Sequence, residues 1–179
     1  MEEGPRPDPA TLDEATLAFV RRVFGIARGG QAEELRGLLA QGLPRNLRNE
    51  KGDSLLMLAA YHGQAETVRV LLEAWADPDL PNDRGQTPLA AAAFKGDAAV
   101  VRLLLRHGAA VDARGEGGRT ALFVAAMFNR AEIVKLLLSQ GADPTVRDES
   151  GRDAAAAARA MGAPDTPALV EAPVRRRAG

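Results

Sequence analysis

Apolar and polar positions follow one repeating order along most of this chain. Residues 85–111, GQTPLAAAAFKGDAAVVRLLLRHGAAV, show it best: an alanine-rich apolar run, a glycine, then valines and leucines at helical spacing. The order returns on both sides every 33 residues. Three sets of residues keep this step: Gly52, Gly85, Gly118 and Gly151; Leu38, Leu71, Leu104 and Leu137; and Ala27, Ala60, Ala93 and Ala126. Such a period predicts an array of stacked helical pairs, because one pair alone cannot bury its apolar face.

The repeated segment resembles the ankyrin repeat. The resemblance is carried by Thr87-Pro88-Leu89, Ala92-Ala93, Gly96, Leu104-Leu105 and Gly108-Ala109, and it is strongest over 49–147. It implies an all-α solenoid of about four to five stacked helix-turn-helix repeats with β-hairpin-like turns. One feature departs from the family pattern, since the histidine of its Thr-Pro-Leu-His motif is replaced by Met57, Ala90, Phe123 and Ala156.

The period divides the chain into predicted segments. A disordered lead covers 1–10, an N-terminal capping repeat 11–48, full repeats 49–81, 82–114 and 115–147, a partial C-terminal capping repeat 148–171 and a flexible basic tail 172–179. Thr11 with Glu14 predicts a capping box at the start of the first helix. Thr166 followed by Pro167 predicts the N-cap and first residue of the last helix.

Two turn positions carry an unexpected residue. Trp75 stands where the other repeats have Gly42, Gly108 and Gly141, at a helix end that favours positive φ. Either the helix ends irregularly there or the ring packs over a neighbour, and we expect a structural role rather than a binding one because tryptophan is usually buried. Asn129 replaces the glycine found elsewhere, and asparagine tolerates the left-handed conformation.

Composition narrows the class of protein. The net charge of −1 provides no long-range field for nucleic acid or an acidic membrane, and the chain has no cysteine. The start, MEEGPRPDPA, lacks the basic and apolar regions of a signal peptide, and no apolar run is long enough to span a bilayer. We therefore expect a cytoplasmic monomer that binds neither nucleic acid nor membrane.

The sequence contains no catalytic pattern. Its two histidines, His62 and His107, fall at different repeat positions, so nothing pairs them as metal ligands or as a base with its partner. We predict no enzymatic activity, no metal and no cofactor. Before each new repeat, Arg48, Arg114 and Arg147 precede a glutamate by two residues. Charges of alternating sign at such short range predict local ion pairs between turns, and the mixed sign argues against a phosphate-binding surface.

An aromatic stripe is the candidate site. The resemblance implies that the last two residues of each first helix face the concave side and stay exposed, which places Tyr61, His62, Phe94, Lys95, Met127 and Phe128 there, with Arg84 and Arg119 at the rim. The predicted function is a protein–protein interaction module that binds an unknown protein or peptide on this face. A structural protein that self-associates or tethers a complex through its ends is the alternative, and the stripe could also pack partly against adjacent loops.

Overall fold

The chain folds into a stack of helical pairs. The computed structural model describes residues 13–172, which contain ten α-helices in five consecutive pairs. The first helices of the pairs are α1 (Glu14–Gly29), α3 (Leu55–Tyr61), α5 (Pro88–Lys95), α7 (Ala121–Met127) and α9 (Ala154–Ala160). The second helices are α2 (Ala32–Ala40), α4 (Ala65–Glu73), α6 (Ala98–Arg106), α8 (Ala131–Ser139) and α10 (Thr166–Glu171).

Each helix packs on its own partner and on its counterpart in the next pair. First helices contact first helices from α1 to α9, and second helices contact second helices from α2 to α10. Within residues 13–172 there is no β-strand, only one isolated bridge between Arg48 and Ser54. The predicted all-α solenoid is confirmed, with the first helix longer than its counterparts.

Helix starts recur with the same period as the glycines. Ser54, Thr87, Thr120 and Asp153 stand one repeat apart, and each accepts a hydrogen bond from the backbone N–H three residues later, at distances of 2.9–3.2 Å. Such caps satisfy an N–H that has no partner within the helix. The capping residue thus fixes where each first helix begins.

Small and large side chains divide the core between them. The alanine pairs of the first helices are fully buried, as Ala92 and Ala93 show, and allow close approach of neighbouring helices. The valines and leucines of the second helices, such as Val100 and Leu104, fill the space between layers. One apolar cluster therefore runs from α1 to α10. Arg69, Arg102 and Lys135 are exposed on the outer face, as predicted.

The turns join neighbouring repeats by backbone hydrogen bonds. Asp83 N donates to Lys51 O at 3.1 Å, and Glu149 N donates to Gly117 O at 2.9 Å. Within a turn, Asn82 Oδ1 accepts from the backbone N–H groups of Arg84 and Gln86 at 3.0 and 2.9 Å. These bonds hold each turn tip at a fixed position beside the next.

Two predicted helix starts are wrong. Helix α1 begins at Glu14 and is capped by Asp13, whose Oδ1 accepts from Thr16 N at 2.7 Å; Thr11 lies outside the described residues. In α10, Thr166 is the first helical residue, and Asp165 takes the N-cap position without a side-chain capping bond; its Oδ2 accepts from Asn129 Nδ2 at 3.0 Å instead. The Thr166 hydroxyl is buried and donates instead to Ala126 O at 2.7 Å, tying the last pair to the one before it.

The predicted ion pairs between turns form only in part. Arg48 pairs with Asp83 of the next turn at 3.2 Å, but within residues 13–172 none of the three arginines pairs with the glutamate that follows it. Arg48 donates to the carbonyls of Gly52 and Pro81 and contacts Asp83, while Arg114 donates to Arg147 O at 3.0 Å. Arg48 and Arg114 thus reach the next turn, whereas Arg147 donates to Gly151 O at 2.7 Å and lies 3.7 Å from the Asp153 carboxylate, within its own turn.

The prediction for Trp75 is wrong, because its ring does not pack over a neighbour. Its φ is +64°, so it occupies the left-handed conformation itself, and 82% of it is exposed. Helix α4 ends at Glu73 in the same manner as the other second helices, with the backbone bond Ala76 N to Leu71 O at 2.9 Å. A bulky residue at positive φ costs about 1–2 kcal/mol, and nothing in the described structure explains it. Asn129, with φ of +54°, meets its prediction.

Asp148 gives the stack a pH dependence. The Ser150 hydroxyl donates to Asp148 Oδ1 at 2.6 Å and is the main cause that lowers the pKa of Asp148 from 3.8 to about 2, with the backbone N–H groups of Arg152 and Ser150 and the charge of Arg152 adding to it, against an opposing effect of burial. Because the folded pKa lies below the unfolded one, the charged form stabilises the fold above about pH 4, and this contribution is lost as the pH falls through about 2.

We expect Asp148→Asn to test this directly. Asparagine keeps the turn, since Asn49 and Asn82 hold the same repeat position in earlier turns. Wild type should have the larger free energy of unfolding at neutral pH, and the two proteins should converge below about pH 2. Urea titrations followed by circular dichroism across this range give the difference. A constant difference at all pH values would contradict the charge as its source.

Candidate partner-binding groove

Three rings of the predicted stripe form one continuous ladder. The rings of Tyr61 and Phe94 are nearly parallel, with centroids 6.2 Å apart and an interplanar angle of 8°. Phe128 meets Phe94 edge-on, with centroids 4.7 Å apart. Since each ring ends or follows a first helix, the stacking of α3, α5 and α7 places them side by side. The ladder crosses three repeats.

The ladder remains partly open to solvent. Tyr61 is 41% and Phe128 36% exposed, and both Phe94 and Met127 are half-buried. The ammonium of Lys95 lies 4.9 Å from the centre of the Tyr61 ring, and the His62 ring meets Tyr61 edge-on at 5.3 Å. The rings therefore support one another while still offering apolar area to a ligand.

The ladder is part of a long groove of ≈ 1460 Å³. The ends of the first helices line it together with the turns between repeats, which contribute Lys51, Arg84 and Arg119. It extends beyond the predicted stripe along α1, where Leu17, Val20, Arg21, Phe24 and Arg28 line it. The period predicts a concave position for Arg28, one repeat before Tyr61. Sequence reasoning missed the other four residues because α1 has 16 residues and its earlier turns have no counterpart in the repeat pattern.

The two predicted rim arginines differ. Arg84 is exposed on the second turn, with no side-chain hydrogen bond or ion pair recorded among residues 13–172. Arg119 is half-buried instead: its Nε lies 4.0 Å from Asp148, and its guanidinium lies 5.7 Å from the Phe123 ring. Arg84 is free to contact a ligand, whereas Arg119 is held by the last turn.

Met161 is an exposed apolar residue at the repeat position of Phe128 and was also missed. It stands one repeat after Phe128 and two repeats after Lys95. It is 59% exposed. The period alone could have found it. The alanine-rich sequence of α9 indicated a core helix instead, and four of its seven residues are buried.

Comparisons with known proteins agree with the fold. The sequence model for ankyrin repeats (3 copies) matches residues 56–148, just over half of the chain. An ankyrin repeat protein of Pseudomonas aeruginosa is 56% identical over 62 residues, which are 35% of this chain and 34% of that protein. The aligned segment thus spans about a third of the relative's length.

The chain therefore belongs to the ankyrin repeat family. Ankyrin repeats are generally protein–protein interaction modules and are typically non-enzymatic. In the part of the chain that the structure describes, no group of three or more histidine or acidic side chains could hold a metal ion. Over the same range, no helix has the length and apolarity needed to cross a membrane.

Proposed function

We propose that the chain binds a protein or peptide partner in the concave groove, with Tyr61, Phe94, Met127 and Phe128 at the centre of the contact. The observation that carries this proposal is the ladder of rings across three repeats, exposed where the solenoid does not need it for stacking. Apolar area at such a position stays exposed to water unless a ligand covers it. His62, Lys95 and Arg84 provide polar contacts beside the ladder.

The available apolar area sets a modest affinity. An aromatic side chain buries about 150–250 Å² in full, so rings that are about two-fifths exposed each offer roughly 80 Å² more. The two rings exposed to this extent, Tyr61 and Phe128, together give roughly 160 Å², which is on the order of 4 kcal/mol at about 25 cal/mol/Å², and the half-buried Phe94 and Met127 add less. Association costs of about 4–15 kcal/mol offset this gain. The ladder can anchor a partner, but further contacts along the groove must supply the rest.

Removing two rings should abolish most of the binding. We expect Tyr61→Ala with Phe94→Ala to lower the affinity for a captured partner by at least about tenfold, because the ladder loses its centre. The double variant should stay folded, with a cost of about 1–2 kcal/mol for the lost ring contacts. The measurement is affinity capture with the full chain as bait, followed by titration of the purified partner and by circular dichroism of each bait.

The matched control is Phe19→Ala. Phe19 is also an exposed aromatic, at 43%, but it does not line the groove. Equal binding by wild type and the double variant would contradict the proposal. Light scattering over a concentration series tests the alternative function, a structural protein that self-associates. That function requires the molecular mass of the protein to rise with its concentration.

A further inference from the structure

Positive charge is concentrated in the groove. Its lining contains three carboxylates, on Glu50, Asp53 and Glu116, against six cationic side chains, Arg21, Arg28, Arg48, Lys51, Arg84 and Arg119. The chain as a whole has a net charge of −1, so this excess is local. An excess of one sign of charge in a groove raises the local concentration of ligands of the opposite sign.

The cations differ in how far the fold already uses them. Arg48 donates to two carbonyls and to Asp83, and Arg119 lies beside Asp148. Lys51 and Arg84 are both exposed, and no ion pair or side-chain hydrogen bond is recorded for either within residues 13–172. They hold the same position in successive turns, one repeat apart. The described part of the fold therefore presents two free cations side by side.

The two long sides of the groove differ in chemistry. Tyr61, Phe94 and Phe128 lie on the side formed by the first helices, and Lys51 and Arg84 on the side formed by the turns. Aspartate and glutamate are the complement of the turn side, and apolar residues are the complement of the helix side. A ligand that satisfies both sides must be amphipathic.

The two-sided groove favours an extended chain. Helices pack about 8–10 Å apart, so the three spacings from α1 to α7 give the groove a length of roughly 24–30 Å. An extended segment of about eight residues, at about 3.3 Å each, spans this length. In an extended segment successive side chains point to opposite sides, which matches the two sides of the groove.

We propose that the groove binds an extended, acidic segment of a partner protein, in which apolar side chains contact the aromatic ladder and carboxylates contact Lys51 and Arg84. This inference rests on the proposed function. It adds the chemistry and the conformation of the partner. Two charge-assisted contacts supply affinity that the exposed ring area alone does not provide.

Selection from a library of random linear peptides, displayed against the full chain, tests the inference. Binders retained by wild type and lost by Tyr61→Ala with Phe94→Ala should be rich in aspartate and glutamate. The most enriched one, made with a fluorescent label, should bind Lys51→Glu with Arg84→Glu at least about tenfold more weakly. Its amide counterpart, with each acidic residue replaced by asparagine or glutamine, should bind wild type equally weakly. Only the acidic peptide should weaken steeply with added salt.

A matched variant controls for the change in total charge. Arg106→Glu with Lys135→Glu reverses two exposed cations outside the groove, which is the same change in net charge as in Lys51→Glu with Arg84→Glu, and should leave affinity for the labelled peptide unchanged. The inference would be overturned, and the proposed function would stand, if the peptides that need the aromatic ladder for binding were neutral or basic. A gain of helical circular dichroism on binding would have the same meaning. Enriched peptides that bind the double ring variant equally well, or a selection that enriches none, would count against both.

Discussion

Replacement of Gly52 by alanine is expected to destabilise the protein by about 3 kcal/mol and to weaken ligand binding with it. Gly52 has φ of +74°, where a residue with a side chain loses about 1–2 kcal/mol. A Cβ at this position would also lie 2.3 Å from Asp83 Oδ1 and 2.6 Å from Asp83 N. Crowding of this kind costs about 1–3 kcal/mol more.

The collision cannot be relieved by a side chain alone. Asp83 N is backbone, and it is held by its hydrogen bond to Lys51 O at 3.1 Å. The second turn would have to move away from the first, which breaks that bond and separates Lys51 from Arg84. The same substitution therefore disturbs the fold and the turn side of the groove.

Gly42→Ala is the control for the backbone effect alone. Gly42 has φ of +98°, but an added Cβ would meet no atom within 4 Å. We expect a loss of only about 1–2 kcal/mol from conformational strain. Urea unfolding followed by circular dichroism measures both variants. Equal losses of unfolding free energy in Gly52→Ala and Gly42→Ala would show that contact with Asp83 contributes nothing to the destabilisation.

The second large effect is expected for Leu104→Ala, at about 3 kcal/mol. Leu104 is fully buried on α6, which packs against α4 on one side and α8 on the other. Removing its side chain leaves a cavity that affects both interfaces. A domain with a total stability of about 5–15 kcal/mol would lose a large part of it.

Its neighbour Leu105 provides the comparison. The two leucines are adjacent on the same helix, but Leu105 is only half-buried. Leu105→Ala should cost about 1 kcal/mol because less apolar area is lost. A loss for Leu104→Ala no larger than that for Leu105→Ala, measured by the urea midpoint at an unchanged slope, would contradict the assigned packing.

The fold could be predicted because its causes are local. A glycine at a fixed step sets each turn, and the buried alanines and leucines follow the same step. What could not be predicted is the partner of each side chain at the turns. Arg48 contacts Asp83, 35 residues away, rather than Glu50, because the turns lie against one another in space. The repeat spacing places the two turns side by side but does not determine which of their side chains pair.

The candidate site was predictable along the repeats and not at their ends. Tyr61, Phe94 and Phe128 were brought together as the period implies. Leu17 and Val20 line the same groove from a helix that breaks the period. The environment of Arg119 could not be predicted either, because it depends on Asp148 in the last turn. Periodicity locates a position on the stack, whereas the contacts at that position depend on its particular neighbours.

The exposed ring of Trp75 has a spectroscopic consequence. It is the only tryptophan of the chain, so intrinsic indole emission reports from this one turn. Because 82% of the residue already faces water in the folded protein, the emission maximum will shift little when the stack melts. Trp75 also lies outside the groove, so a bound ligand will leave the emission almost unchanged. Tryptophan fluorescence, which usually monitors folding and binding titrations, will therefore change little in either experiment on this protein.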